Sequence, residues 1–453
     1  MAGESERDDR GDLALVRPGM TDFESRFADW LPFSTALERI LRAASPLSLE
    51  DVPLADSLGR ALAADVIAST PLPPWDNSAM DGYAVQSADV EGATKDRHVE
   101  LAVTGVIHAG SRFDGVVRSG QAVRIMTGSP VPNGADTVIR VEDTDREEAN
   151  PGRLRIFTDR DCGRNVRPAG EDWAPGSTVL QAGSSIGPGQ VGVLAAARAS
   201  TVTVRRKPTV AIIASGDELT ALDAPFLDED RIPESNSHLI AAAVHVCGAV
   251  PLRLGIASDD PEDLHEHVER ARSADVLVTL GGASMGEADL FKRVLDEAGL
   301  QLDFWRVRIR PGSPVSFGHL PREIGSDQPV FGLPGNPAST FVTFEVLVRP
   351  FLLALAGHTR VLRPVITARA GTDLTVAEGL TGFLRVRLVQ ADGVPDAFVA
   401  GPQGSGLVRS LAAADGLAIV PEGIRTISEG SPVEVMVLDG SLGFFDESSQ
   451  SPE

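Results

Sequence analysis

Between residues 208 and 357 short apolar runs alternate with stretches of helical periodicity, and no other feature of the chain narrows its fold so far. Strands are expected at 209–214 (TVAIIA), 249–256, 275–280 (DVLVTL), 302–309 and 329–333, and helices at 237–247, 261–272, 289–298 and 338–356. This alternation specifies a doubly wound α/β domain around a parallel sheet, because parallel neighbours need a crossover and a helix supplies it. Such a sheet binds ligands outside the carboxyl ends of its strands.

Acids fall at those ends. Glu218 follows the first strand in SGDEL, Asp259 the second in ASDDP, and Asp289 the third in LGGASMGEAD, while the last strand runs into Leu333-Pro334-Gly335-Asn336-Pro337. Each has a purely structural alternative. Asp260-Pro261 is an N-cap followed by proline at the first helical position, which accounts for Asp260 and leaves Asp259 free. Asp289 and Asn336 are placed to cap helices, and Glu218 to be a solvated loop acid. The loop from Gly281 to Gly286 brings backbone N–H groups and a helix N-terminus towards an anion, without being a Walker A loop or GxGxxG. Arg306, Arg308 and Arg310 alternate, so on one strand all three share a face suited to phosphate or an oxyanion; a charge-protected edge strand is the alternative. Hard carboxylates beside a phosphate cradle suit Mg²⁺.

A second polar concentration lies at residues 73–85, PPWDNSAMDGYAV. Asp76 to Asp81 hold two carboxylates, an amide and a hydroxyl in six residues, between the stiff Pro73-Pro74 and Gly82, which is expected to free the exit by tolerating φ > 0. Tyr83 is the only tyrosine. Around it, residues 33–65 read as helical, with Leu37, Ile40 and Leu41 on one face; 84–145 as β-rich; 188–197 as an apolar helix; and 362–440 as short strands with turns, a small barrel or sandwich. The charged ends, 1–25 and the tail after about residue 441, read as disordered.

The 453-residue chain has a net charge of −23, which argues against nucleic acid as a partner while leaving anionic small substrates open wherever arginines cluster. Only three lysines occur (Lys95, Lys207, Lys292), so arginine in a lysine's place carries little meaning here. The two cysteines, Cys162 and Cys247, form no metal-ligand cluster. No apolar run of membrane-spanning length is read in the sequence, and the charged start is no secretory signal, so a cytoplasmic location without membrane contact is expected.

Six motifs then occur in order: PPWDNSAMDGYAV, RIMTGSPVP (124–132), NVRPAGED (165–172), SGDEL (215–219), LGGASMGEAD (280–289) and LPGNP (333–337). Together they resemble the molybdopterin molybdenumtransferases of molybdenum cofactor assembly, to which the C-terminal domain of gephyrin is related. The resemblance spans about residues 30–440. It implies a multi-domain α/β plus β protein: an elongated helical linker domain (26–70 and 146–207), an inserted β-rich domain (71–145), a molybdopterin-binding α/β domain (208–360) and a C-terminal β-barrel (361–441). It implies a homodimer whose cleft sets Asp81 and Thr127 of one subunit opposite Glu218 and Asp289 of the other. The reaction would take adenylylated molybdopterin and molybdate with Mg²⁺ and release AMP. By matching positions, Glu218, Asp259 and Asp289 would be metal-binding and catalytic acids, with Asp81, Thr127 and Asp172 lining the cleft. Gly281, Gly282, Ser284, Pro334, Gly335 and Asn336 would hold the pterin phosphate, and Arg306, Arg310 and Ser313 would face oxyanion or phosphate. A molybdopterin adenylyltransferase and apo-molybdoenzymes are the protein partners it suggests. Relatives commonly carry lysines in the segment 306–313, where this chain has Arg306, Arg310 and Ser313. That departure leaves open a weakly active scaffold paralogue or a preference for tungstate.

Overall fold

The computed structural model describes residues 30–108, 110–224, 230–281, 290–390 and 393–438. They fall into two compact units. One is Asp51–Val204; the other holds the described residues up to Glu50 together with those from Arg205 onward.

In the second of these, a six-stranded sheet runs in the spatial order Val250–Ala257, Thr209–Ser215, Val276–Leu280, Gln328–Leu333, Ser316–Leu320, Gln301–Trp305. The first four strands are parallel. Ser316–Leu320 pairs antiparallel with both its neighbours, so it alone is reversed and the sheet is mixed where an all-parallel one was expected. Ser316–Leu320 is the strand that the sequence reading lacked. Its middle residue, Gly318, is there because a Cβ would lie 2.6 Å from the Gln301 carbonyl oxygen of the neighbouring strand. Val210, Ile212 and Ala214 pack on one face against helices Phe33–Ala43, Asn236–Val246 and Pro337–Leu355. Ala211 and Ile213 pack on the other against Pro261–Ala271 and Leu290–Glu297. Both faces are thus covered, which is why these strands read as unbroken apolar runs. Thr209–Ser215, the first strand of this sheet in chain order, lies between the second and third, so the order reverses between Thr209–Ser215 and Val276–Leu280.

Helix Pro337–Leu355 is long and apolar enough to cross a membrane, contrary to the sequence reading, and it is a mostly buried core helix. It widens to a π turn over Phe344–Val348, one residue short of Pro350. Proline has no N–H to donate and its ring crowds the preceding turn, so the wider turn relieves it.

The chain then closes a five-stranded β-barrel, Thr381–Val389, Asp396–Val399, Val365–Ala370, Pro432–Val437 and Gly416–Val420, the last pairing back to the first. Ala368, Ala370, Val386, Ala418 and Val435 fill it. Ile309–Arg310 adds to it in parallel beside Thr381–Gly382. The expected strand 302–309 is therefore two pieces. It breaks at Arg306, whose φ is +73°, because the Arg306 N–H turns to the Val315 carbonyl and its carbonyl to the Leu31 N–H.

The unit Asp51–Val204 carries a five-stranded sheet ordered Thr137–Arg140, Gly82–Val85, Gln121–Ile125, Val99–Ile107, Arg153–Ile156. A smaller core gathers Leu62, Ile186, Leu194 and Val204 around helix Pro188–Ala196. The helix expected over 33–65 stops at Ala43, and prolines at 46 and 53 turn the next stretch into extended chain and one short 3₁₀ turn.

Candidate active site

Two groups of loops carry the candidate residues, one in each unit. In Asp51–Val204 the first three motifs come together. Val131 N–H donates to the Asp76 carbonyl (2.9 Å), Gly128 N–H to the Ser78 carbonyl (2.8 Å), Ala79 N–H to the Asn165 carbonyl (2.9 Å) and Gly170 N–H to the Pro73 carbonyl (2.9 Å). The Asp76 carboxylate accepts the Ala169 N–H at 2.7 Å. One Asp81 oxygen accepts both the N–H and the hydroxyl of Thr127, each at 2.7 Å. Those two donors, the backbone one foremost, hold the exposed Asp81 carboxyl below the ordinary range. Asp172 is exposed at the end of the third motif, its N–H bonded to the Leu72 carbonyl.

Gly82 corrects an expectation. Its φ is not positive. It is required because a Cβ there would lie 2.9 Å from the Ile139 carbonyl carbon and closer still to its oxygen. The close approach of two strands, not an unusual backbone angle, selects glycine.

In the other unit the strand ends form one continuous rim. Gly216 N–H points to the Ala257 carbonyl at 3.4 Å, and the Asp217 carboxylate accepts the Asp259 N–H at 3.1 Å, which joins the loops after the first two strands. Gly281, at φ +98°, lies against Ser215: a Cβ on it would be 2.8 Å from the Ser215 carbonyl oxygen. Its N–H donates to the Leu333 carbonyl at 3.2 Å. A Cβ on Gly335 would lie 3.7 Å from the Gly281 Cα, so the end of the third strand abuts the fourth loop as well. The carboxylates of Glu218 and Asp259 are exposed, and no donor among the described residues reaches either. Gly216 makes room for Glu218, since a Cβ there would be 2.7 Å from Glu218 Oε1. Asp260, not Asp259, caps helix Pro261–Ala271, taking the N–H groups of Glu262 and Asp263.

Asn336 stands at the N-cap of Pro337–Leu355 and makes no side-chain cap bond. Its amide donates instead to the Ser405 hydroxyl at 3.1 Å, and Ala338 N–H donates to the Ser405 carbonyl at 2.9 Å. Pro334 is buried and its carbonyl accepts the Thr340 hydroxyl. A loop of the barrel is therefore bonded to this end of the rim. Asn236 reaches the rim too, its amide donating to the Gly335 carbonyl at 2.6 Å.

The three arginines do not form a row. Arg306 stacks on Trp305 at 4.0 Å and Trp30 at 5.1 Å. Arg308 pairs with Glu422 at 2.8 Å. Arg310 is exposed, and no acceptor among the described residues reaches its guanidinium. Ser313 is buried and donates to the Ile309 carbonyl at 2.5 Å, closing the turn that Pro311 and Gly312 begin. Gly282, Ser284 and Asp289 lie outside the described residues. Among the described residues no group of three His, Cys, Asp or Glu side chains is gathered closely enough to hold a metal. Glu218 and Asp259 supply two hard oxygen donors on adjoining loops, a set that fits Mg²⁺ completed by substrate phosphate.

Asp217, Asn236, Arg385 and Ser405 were not among the expected site residues. Arg385 is fully buried in the barrel strand Thr381–Val389, donating to Ser410 Oγ (2.8 Å) and to the Pro402 and Gly404 carbonyls (3.2 Å each), with no carboxylate partner among the described residues. Burial lowers its pKa. Its signal in the sequence is weak: TGFLRVRLV carries two arginines on one face, Arg385 and Arg387, and only the first is buried.

A mixed α/β domain with ligand-ready strand ends, a β-rich part and a C-terminal barrel define a multi-domain ligand-binding class, and comparison supplies the family. Residues 31–197 match the MoeA N-terminal region (domain I and II), 211–354 a probable molybdopterin binding domain, and 367–438 the MoeA C-terminal region (domain IV). A molybdopterin molybdenumtransferase of Nostoc sp. is 36% identical over 393 residues, covering 86% of this chain and 88% of its own. Molybdopterin molybdenumtransferase 1 of Mycobacterium tuberculosis is 35% identical over 408 residues, covering 85% and 94%. Among solved structures, a molybdopterin biosynthesis moeA protein of Pyrococcus horikoshii superposes with a TM-score of 0.77 at 27% identity, over 90% of this chain and all of that one. The chain belongs to the MoeA family, the molybdopterin molybdenumtransferases of molybdenum cofactor biosynthesis.

Proposed function

We propose that this chain inserts molybdate into adenylylated molybdopterin with release of AMP, working as a homodimer, and that its division into helical linker, β-rich, α/β and barrel domains follows the boundaries expected from sequence. The observation that carries the reading is the single rim formed by four strand-end loops, with the Glu218 and Asp259 carboxylates left free on two of them. Gly281 and Gly335 let backbone approach the pterin phosphate closely, as a side chain at either place would not. Arg310 offers a free guanidinium for an oxyanion. The Arg385 guanidinium adds positive charge behind the Ser405 loop, its Nη1 buried without a partner among the described residues. Asp81, kept ionised by Thr127, and the exposed Asp172 supply fixed negative charge for the part of the reaction handled by the other unit. Magnesium, when bound by Glu218 and Asp259, would neutralise charge on the phosphoanhydride.

The test is release of AMP by the purified chain given Mg²⁺, molybdate and adenylyl-molybdopterin, with tungstate as competitor to read oxyanion preference. AMP appearing in step with molybdenum cofactor is expected. A chain that binds molybdopterin and releases no AMP is a scaffold, and the proposal fails.

A further inference from the structure

The segment Ser258-Asp259-Asp260 is pinned at three points. Ser258 donates its N–H and its hydroxyl to Asp263, both at 2.7 Å. Asp260 accepts from the first turn of its helix. The middle point is the bond from Asp259 N–H to Asp217 Oδ1, which crosses 42 residues of sequence and is the only side-chain bond among the described residues between this loop and the one carrying Glu218. Asp217 and Glu218 are neighbours in one turn, held by the bonds Leu219 N–H to Gly216 carbonyl (3.1 Å) and Ile232 N–H to Glu218 carbonyl (2.8 Å). Anything that fixes Asp217 against Asp259 therefore fixes, against each other, the backbone positions from which the Glu218 and Asp259 carboxylates project.

We propose that Asp217 is the positioning residue of this site: its carboxylate does not itself take the divalent cation but sets the spacing of the two carboxylates that do. The inference rests on the reading of Glu218 and Asp259 as cation-binding acids. A two-carboxylate site for a small, geometrically demanding cation gains most from such a clamp, because its ligands come from separate loops. The clamp needs an acceptor atom at Asp217, not a charge.

That distinction supplies the experiment. Asp217→Asn keeps an acceptor oxygen and loses the charge; Asp217→Ala loses both. With the full-length chain, Mn²⁺ alone is titrated by electron paramagnetic resonance, hydrogen exchange at the Asp259 amide is read at single-residue resolution, and Mg²⁺ dependence of AMP release is measured alongside. Asp217→Ala should weaken Mn²⁺ about tenfold, speed exchange at Asp259 about tenfold, and raise the Mg²⁺ needed for half-maximal turnover to match. Asp217→Asn should stay within about twofold of the parent chain in all three. Melting temperatures shared by the three proteins guard against a loosened turn, and Asp217→Leu, which also lacks an acceptor, substitutes for alanine if that variant melts early. Equal loss in Asn and Ala variants would make the charge itself the agent and overturn the proposal, as would faster exchange with unchanged Mn²⁺ affinity. If the parent chain releases no AMP yet the Mn²⁺ and exchange results hold, the enzymatic reading falls and the clamp stands.

Discussion

Replacing Gly82 by alanine should damage the β-rich unit through a single contact. The glycine lies in the strand that leads out of the Asp81 loop, paired with Arg140 on one side and Ile125 on the other. A Cβ would sit 2.9 Å from the Ile139 carbonyl carbon and 3.1 Å from the Arg140 Cα, and nearer still to the Ile139 oxygen. All three are backbone atoms, so no flexible side chain can move aside. Carbon atoms at rest keep about 3.5–4.0 Å, so Gly82–Val85 and Thr137–Arg140 must part by close to an ångström. Overpacking of this kind costs about 1–3 kcal/mol, and one or two weakened strand bonds add about 0.5–1.5 kcal/mol each. Alanine gains a little from lower unfolded-state entropy, about 0.4–1 kcal/mol, because φ here is ordinary. The net loss is about 2–4 kcal/mol, and at about 2–4 °C per kcal/mol for a unit of this size the melting point of the unit should fall by roughly 4–16 °C. Scanning calorimetry of the full chain reads it, with Gly59→Ala as control: there φ is +77° and nothing lies within 4 Å of the added carbon, so only backbone strain of about 1–2 kcal/mol applies. Gly82→Ala melting at or above Gly59→Ala would refute the steric reasoning.

Tyr83 gives a clean optical probe because it is the only tyrosine. Burial first, then the Glu147 carboxylate that accepts its hydroxyl at 3.2 Å, push its phenol up to about 12. The folded pKa lies above the unfolded one, so the contribution to stability is complete below about pH 10 and fades as pH climbs towards 12; absorbance at 295 nm should show no phenolate near pH 10 in the folded chain. At the base of the α/β sheet, Asp275 accepts Arg206 through both guanidinium nitrogens and Thr209 through its N–H and hydroxyl. Burial raises its pKa, and these donors more than offset that, so it ends below the ordinary carboxyl value. Its stabilisation is present above the unfolded pKa and lost as pH falls through the folded one. Asp275→Asn should therefore cost about 1–2 kcal/mol at pH 7 after allowance for solvent screening, and the gap in urea midpoint between the two proteins should close towards pH 3.

What could be read in advance follows the physics of each element. The strands Thr209–Ser215 and Val276–Leu280 are buried on both faces, so their residues need no context to be recognised. The cap at Asp260-Pro261 is a local rule and was legible for the same reason. Ser316–Leu320 was not: its burial comes from a hairpin with Gln328–Leu333, and a glycine and a histidine interrupt its pattern. The arginines misled because alternation predicts one face only along an unbroken strand. Arg306 leaves the extended region to bond Leu31, a partner some 275 positions away that no local rule supplies. The barrel's contribution was hidden in the same manner. Ser405 meets Asn336 from a loop that Arg385 holds through the Pro402 and Gly404 carbonyls, and neither Ser405 nor Arg385 belongs to a motif.

The polar pairs at these loops divide their labour, and the division is testable. At 259–260 the second acid caps the helix and the first is free. At 217–218 the first accepts a backbone N–H and the second is free. In the Asp76–Asp81 loop one carboxylate takes Ala169 N–H to hold the third motif, and the other is exposed on Thr127. Fold and chemistry therefore compete for carboxylates within a few residues of each other, and each loop satisfies both by carrying a spare. A free carboxylate near another one adds repulsion to the unliganded chain, which offsets what the adjoining helix N-terminus gives it, so its removal costs little stability. Asp259→Asn should leave the melting temperature unchanged or slightly raised while AMP release falls at least a hundredfold. Asp260→Ala should do the reverse, losing about 0.5–2 kcal/mol as a helix cap does and retaining most turnover at a temperature where it is folded. Were Asp259→Asn to destabilise the chain as much as Asp260→Ala, the free carboxylate would be bearing a structural load that its geometry does not show, and the separation of roles would be wrong.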